Sequence, residues 1–348
     1  MNNFRWILAA AAFVTALTVA PAIEKIARTP YIGAMVIDVA SGQVLFEDNA
    51  DAPGYPASVT KLMTFFVVMD KVHSGQLTLE TPITVSAEAS HIGGSRVYLK
   101  QGEVFTVDDL LYAMMIQSAN DAAFALAVHA AGSRDAFVEL MNTKARQLGM
   151  KNTTFHSPHG LPPGKGQQAD VSTAHDLALL SRELINHGDI LRYSSVKVRM
   201  FRANTANPFR MENHNHLLGK LAGCDGLKTG YFAAAGSSLS ATVERNGRRI
   251  LAVVVGSDGS KTRDLKMMEL VERGFAALPA ATPSVKVGAA SAPPSSGQAK
   301  PPVAKAEEVP VVTTDKSAHP VVSSTPKPGE QSSTAAEPMF KLNLNPKK

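Results

Sequence analysis

Ser58 and Lys61 stand three residues apart in an apolar stretch of this 348-residue chain. On a helix that spacing puts both side chains on one face, so the amine can approach the hydroxyl. A serine hydroxyl is a weak nucleophile until a base takes its proton. Lysine can be that base only if its pKa falls far below the ordinary ~10.4. Burial and a second nearby cation would both lower it. Alone the pair is a weak signal, because the same spacing arises by chance wherever a helix starts with a serine and carries a surface lysine.

Two further groups add weight. Ser118 and Asn120 lie 60 residues on, between two helical stretches, where a turn can project a hydroxyl and an amide into a cleft. Read singly, they would be helix N-caps. Lys228, Thr229 and Gly230 follow in Asp225-Gly-Leu-Lys-Thr-Gly-Tyr231. On a strand, Lys228 and Gly230 share one face and Thr229 takes the other. A strand glycine suits a place where a ligand backbone must lie close.

The order of the three groups is more informative than any one of them. Nucleophile with base, then hydroxyl with amide, then a cation on a strand is the signature order of penicillin-binding proteins and class A β-lactamases. The body, roughly residues 30–278, resembles the low-molecular-mass D-alanyl-D-alanine carboxypeptidases, peptidase family S11. The strings that carry the resemblance are Tyr55-Pro-Ala-Ser-Val-Thr-Lys-Leu-Met-Thr64, Gln117-Ser-Ala-Asn-Asp121 and Asp225-Gly-Leu-Lys-Thr-Gly230. His159-Gly-Leu161 and Ser172-Thr-Ala-His-Asp176 also look like this family.

The resemblance implies that Ser58 forms the acyl-enzyme, with Lys61 as general base. Ser118 and Asn120 would relay a proton and hold the substrate amide. Lys228 would be the second cation, Thr229 a carboxylate ligand, and the backbone N–H groups of Ser58 and Tyr231 the oxyanion hole. Arg263 resembles a family arginine near the terminal carboxylate; its plainer reading is a solvated residue at a helix start. The implied partners are peptidoglycan stem peptides ending in D-Ala-D-Ala, with β-lactams as covalent inhibitors and no cofactor or metal. Tyr231 stands where relatives often have histidine, and the chain lacks the β-rich second domain and amphipathic membrane helix that many of them carry. Membrane anchoring through the C-terminus is therefore unsupported.

Other activities use the same groups. A class A β-lactamase would need a deacylating glutamate in an E-x-x-L-N context, and Glu139-Leu-Met-Asn142 and Glu183-Leu-Ile-Asn186 are each one residue short of it. An endopeptidase or a non-catalytic receptor for wall peptide or penicillin completes the alternatives. No G-x-S-x-G elbow is present, so a Ser-His-Asp hydrolase of that type is unsupported. His214-Asn-His216 offers two imidazoles without a recognisable third ligand, and reads as structural. Cys224, the one cysteine, reads as a packed side chain.

The elements that must position these residues follow from periodicity. Gly33–Ala40 and Gln43–Asp48 read as strands joined by Ser41-Gly42. A helical stretch runs from about Ser58 to Val72, and helical patterns recur at Val107–Met115, Asn120–Ala131, Arg134–Leu148 and Thr173–His187. Ser133 and Ser172 are candidate N-caps and Gly188 a candidate stop. Ser237–Glu244 and Arg249–Gly256 flank Asn246-Gly247, a two-residue hairpin signal. A last helix covers about Arg263–Ala277. Strands at both ends with helices between them predict an α/β fold: an antiparallel sheet flanked by helices, with an all-helical lobe.

Composition bounds the rest. Apolar residues make up 45% of the chain, enough for a sizeable core. Net charge is +5, but residues 280–348 hold eight lysines against five acids and Arg5 adds one more, so residues 23–279 stand at +1. A near-neutral body argues against nucleic-acid binding. Residues 1–22 read as an export signal: Arg5, an apolar run from Trp6 to Ala20 of about 15 residues, and small residues at Ala20 and Ala22. The run is short of the ~20 residues needed to span a bilayer. Export to the periplasm or cell envelope follows. Residues 280–348 hold 11 of the 21 prolines and a single aromatic, Phe340, and read as a disordered tail. Three regions result: signal 1–22, catalytic body 23–279 and tail 280–348.

Overall fold

The structure is a computed structural model and describes residues 23–278. The signal and tail expectations lie outside these residues. The described chain opens with strands β1 (Gly33–Asp38) and β2 (Val44–Asp48), then a 3₁₀ turn (Ala57–Thr60) that runs straight into α1 (Lys61–His73). A helical lobe follows: β3 (Pro82–Thr84), α2 (Ala87–His91), β4 (Val104–Thr106), α3 (Val107–Ile116), α4 (Asn120–Ala131) and α5 (Arg134–Gln147). After a long connection come α6 (Ala174–His187), α7 (Ile190–Ser194) and the small hairpin β5 (Val198–Phe201) and β6 (Phe209–Glu212). The chain then returns to the main sheet with β7 (Cys224–Phe232), β8 (Gly236–Arg245), β9 (Arg248–Ser257) and α8 (Ser260–Ala277).

The sheet is antiparallel, in the order β2-β1-β9-β8-β7. The last strand of the chain thus lies beside the first, as strands at both ends of the sequence required. Alternate side chains serve two cores. Met35, Ile37, Leu251 and Val253 lie on the α6 side, in the core shared with α1 and the helical lobe, while Val36, Ala252 and Val254 share the other core with Met267, Leu270 and Val271 of α8. Burial on both faces makes β9 read as the unbroken apolar run Leu251-Ala-Val-Val-Val255.

Several ends differ from the sequence reading. The stretch 58–72 is not one α-helix, because its first turn is 3₁₀. In that geometry side chains i and i+3 eclipse, which stacks Lys61 directly beside Ser58. Thr173, not Ser172, caps α6: Asp176 N donates to Thr173 Oγ1 at 3.1 Å. Ser172 is held elsewhere, since its backbone pairs with Gly54 and its hydroxyl meets Thr153 Oγ1 at 2.8 Å. The last helix starts three residues early, at Ser260. Ser133 caps α5 and Gly188 ends α6 in the left-handed region, as their positions suggested. The short elements β3, β4, α2, α7, β5 and β6 carry too few residues for periodicity to reveal them.

Candidate active site

The site forms where the 3₁₀ turn, the α3–α4 turn and the edge strand β7 converge. Lys61 is fully buried, and its Nζ donates to Ser58 Oγ at 2.9 Å, to Asn120 Oδ1 at 2.6 Å and to the His159 carbonyl at 2.6 Å. Burial first, and Lys228 second, hold the Lys61 amine well below the ordinary lysine range; Asp170 and Asp121 oppose this. Lys228 is buried too, and donates to Ser118 Oγ at 3.0 Å and to the Thr229 carbonyl at 3.1 Å. Burial, then the nearby Arg263, pushes its pKa down to about 7.

Local backbone explains how these side chains meet. Ala57 and Ser118 both adopt positive φ, at 49° and 58°. L-residues seldom do so, and such conformations persist only when the surroundings impose them. Residue 119, an alanine, is the N-cap of α4 and offers no side-chain cap bond, so neither Ser118 nor Asn120 is spent on capping. Asn120 Nδ2 instead donates to the Gly93 carbonyl at 2.8 Å. Gly230 lies against the 3₁₀ turn: a Cβ there would sit 2.3 Å from Pro56 O and 3.1 Å from Ser58 N. A strand can pass this close to a nucleophile only without a side chain.

The loop after α5 closes the floor. Thr64 Oγ1 donates to the Pro158 carbonyl at 2.6 Å, and Gly160, at φ 78°, packs its Cα onto the Ala57 carbonyl. Asp170 is buried beneath and accepts from Thr60 Oγ1, His156 N, Ser157 N and Ser157 Oγ at 2.6–3.0 Å. This knot fixes the His159 carbonyl on Lys61. Burial, then Lys61, drives the His159 imidazole down to about 3, so the ring is neutral.

A cleft of about 890 Å³ opens over Ser58, Ser118 and Asn120, with Thr229, Gly230 and Tyr231 along its strand side. Tyr231 is 66% exposed. Arg263, on α8, lines the same cleft rather than pointing to solvent. Its Nε and Nη2 donate to Asp264 Oδ1 at 2.9 and 2.6 Å, and Nη1 reaches the Ser238 carbonyl at 3.4 Å. All nine residues singled out in the sequence therefore gather here, Lys61 and Lys228 beneath the surface and the other seven on the wall. Sequence reasoning missed Asp170 and the His159 carbonyl; the His159-Gly-Leu161 string marked the segment but not the backbone oxygen. It also read His214 and His216 as bland, yet both line the cleft. Among the described residues no group of three His, Cys, Asp or Glu side chains is placed to hold a metal. Burial pushes the Cys224 thiol up, away from reactivity.

Chemically, a desolvated amine on a serine hydroxyl, with a second serine bonded to a second lysine, suits acyl transfer. Sheet, helical lobe and cleft have the architecture of solved D-alanyl-D-alanine carboxypeptidases and penicillin-binding proteins. The structure is similar to penicillin-binding protein D2 from Listeria monocytogenes in its ampicillin-bound form, with TM-score 0.63 and 34% identity over 71% of this chain and 97% of that one. In sequence it is 37% identical to the D-alanyl-D-alanine carboxypeptidase DacC of Escherichia coli, over 81% of this chain and 69% of the relative. It is 34% identical to DacF of Bacillus subtilis, over 70% of this chain and 61% of the relative's length. The chain belongs to the D-alanyl-D-alanine carboxypeptidase family, peptidase S11, whose profile matches residues 23–259. Membership makes it a serine-type carboxypeptidase, a hydrolase. No helix among the described residues is long and apolar enough to cross a membrane.

Proposed function

We propose that this chain removes the terminal D-alanine from peptidoglycan stem peptides ending in D-Ala-D-Ala, through an acyl-enzyme on Ser58, and that penicillins acylate the same hydroxyl. The carrying observation is the bonding of Lys61. Its Nζ has three polar neighbours, of which Asn120 Oδ1 and the His159 carbonyl can only accept. Ser58 Oγ, at 2.9 Å, is the third. Burial and the nearby Lys228 favour the neutral amine, which can serve those two oxygens with its N–H groups while its lone pair turns to the Ser58 hydroxyl, as a general base requires.

Ser58 Oγ attacks the carbonyl of the penultimate D-alanine as Lys61 takes its proton. The oxyanion rests on the N–H groups of Ser58 and Tyr231, donors of a kind worth about 10²–10³ in rate. Ser118, bonded to Lys228, gives its proton to the leaving amine and takes one from the protonated Lys61, so D-alanine departs and Lys61 is neutral again. Thr229 and Arg263 hold its carboxylate, and the second N–H of Asn120 Nδ2 holds the substrate amide. Water then attacks the ester, with Lys61 again as base, and restores Ser58. Residues 1–22 direct export to the envelope, where this substrate lies, and residues 280–348 tether or space the enzyme in the wall.

Among the described residues no glutamate lines the cleft. Glu139 pairs with Arg146 and Glu183 with His187, both on exposed helix faces. That favours a peptidase over a β-lactamase of class A, whose ester is cleared by a glutamate-activated water. Mass spectrometry of the penicillin-treated protein should place one adduct on Ser58, and a D-Ala-D-Ala peptide should yield D-alanine. Full D-alanine release by Ser58→Ala would overturn the assignment; rapid penicillin turnover would make the chain a β-lactamase.

A further inference from the structure

Ser118 and Asn120 owe their positions to a strap, residues 93–99, that is bonded from both sides. On its inner side the strap meets the α3–α4 turn. Gly93 O accepts from Asn120 Nδ2 at 2.8 Å, Ser95 O accepts from Asn120 N at 2.8 Å, and Ser95 Oγ donates to the Gln117 carbonyl at 2.6 Å. Val97 N and Leu99 N donate to the buried Asp121 carboxylate at 3.3 and 3.0 Å. These bonds surround residue 118 on both flanks in sequence, 117 before it and 120–121 after it.

The outer side is held by one residue from a different part of the chain. Arg202, at the end of β5, donates from Nη1 to the Val97 carbonyl at 2.8 Å and from Nη2 to the Tyr98 carbonyl at 3.1 Å. Nη2 also donates to Glu103 at 2.5 Å. The guanidinium lies 5.1 Å from the Phe105 ring centre and 4.8 Å from that of Phe201, and its side chain is 9% exposed. Its Nε has no hydrogen-bond partner among the described residues. The position is therefore constrained: Arg202 takes φ 55°, and Tyr98 takes φ 58°. A buried charge with one unsatisfied N–H is costly, and it persists here with two carbonyls of the strap as its ligands.

We infer that Arg202 is a positioning residue for the acyl-transfer site, acting through residues 93–99 on Ser118 and Asn120. The inference rests on the function proposed above. The strap is gripped from both sides, the N–H groups of Val97 and Leu99 inward on Asp121 and the carbonyls of Val97 and Tyr98 outward on Arg202, so it cannot shift without losing charge-assisted bonds on one side. The hairpin reinforces this by a second bond, from Glu212 N to Gln117 Oε1 at 3.2 Å. Substrate approach over Asn120 therefore depends on an arginine that does not line the cleft.

The experiment uses the full chain carrying Arg202→Met, Arg202→Lys and, as a remote control, Arg245→Met, which breaks a pair with Glu272, a bond to the Ala222 carbonyl and a contact with the Phe275 ring. Three quantities are read: the rate of Ser58 acylation by a chromogenic penicillin, the thermal midpoint, and amide hydrogen exchange. Arg202→Met should slow acylation about tenfold, and amides 97 and 99 should exchange about tenfold faster while those of α1 keep their protection. Arg202→Lys, which keeps the charge but not the fork, should recover part of both. Arg245→Met should lower the midpoint without slowing acylation. An acylation rate within twofold of the parent for Arg202→Met, or protection lost equally across the whole fold, would overturn the inference. If the parent itself forms no Ser58 adduct the functional proposal fails, and exchange at 97 and 99 still tests the strap by itself.

Discussion

The two walls of the cleft are built differently. On the helical wall almost every polar group is already bonded within the protein: Lys61 to three oxygens, Asn120 through both ends of its amide, Ser118 to Lys228. On the strand wall, β7 is the edge of the sheet and, among the described residues, pairs only with β8. Its outer side, past Thr229, Gly230 and Tyr231, is left to the cleft. Chemistry is thus set in place before a substrate arrives, and recognition is left open for the substrate to complete. Preorganised dipoles avoid reorganisation at the moment of reaction, whereas a strand edge accepts an extended peptide by backbone bonds.

The largest effect that would break this contrast is at Lys61. Lys61→Met keeps the volume and removes the base, and should cut acylation by about 10²–10⁴, measured by stopped-flow absorbance with a chromogenic β-lactam. A loss under tenfold would mean that the helical wall does not supply the base.

The pH profile sharpens it next. Lys61 acts only when neutral, so the acylation rate should fall as pH drops through its lowered pKa. In the proposed mechanism Lys228 acts as a cation, so the rate should also fall as pH rises past about 7, where burial and Arg263 push its pKa. Arginine does not lose its proton in this range. Lys228→Arg should therefore abolish the alkaline limb and leave the acid limb in place.

A smaller effect probes the strand side. In the proposed mechanism Arg263→Ala removes a charge-assisted carboxylate ligand, worth about 1.5–3 kcal/mol. That should raise KM for a D-Ala-D-Ala peptide about tenfold or more and leave kcat less affected. An unchanged KM with a lowered kcat would move Arg263 from recognition to chemistry. The smallest effect belongs to neither wall. Asn246 and Gly247 turn the β8–β9 hairpin at φ 52° and 73°. Asn246→Ala should cost about 1 kcal/mol in urea unfolding with unchanged kcat/KM.

Legibility in the sequence divides along similar lines. The long elements were readable because burial on both faces leaves an unbroken apolar run, as in Leu251–Val255, or because a turn needs a particular residue, as at Asn246-Gly247. The side chains of the site were readable because their order along the chain is specific. Three things were not. The 3₁₀ character of residues 57–60 leaves no mark, since i and i+3 lie on one face in either helix. Backbone oxygens such as that of His159 have no residue code. Asp170 lies 110 residues from Thr60, and only the folded loop brings the two to 3.0 Å.

The position of β9 between β1 and β8 sets the timing of assembly. Ser58 and Lys61 emerge early in synthesis, but Lys228 and the strand that seats it come about 170 residues later, and β1 cannot take its place in the sheet until β9, later still, has been made. Contacts of such long range slow folding. The nascent chain therefore carries its serine and lysine through synthesis without the cation, the strand edge or the closed sheet around them. Activity is withheld until nearly the whole body has emerged, and the topology itself imposes the delay.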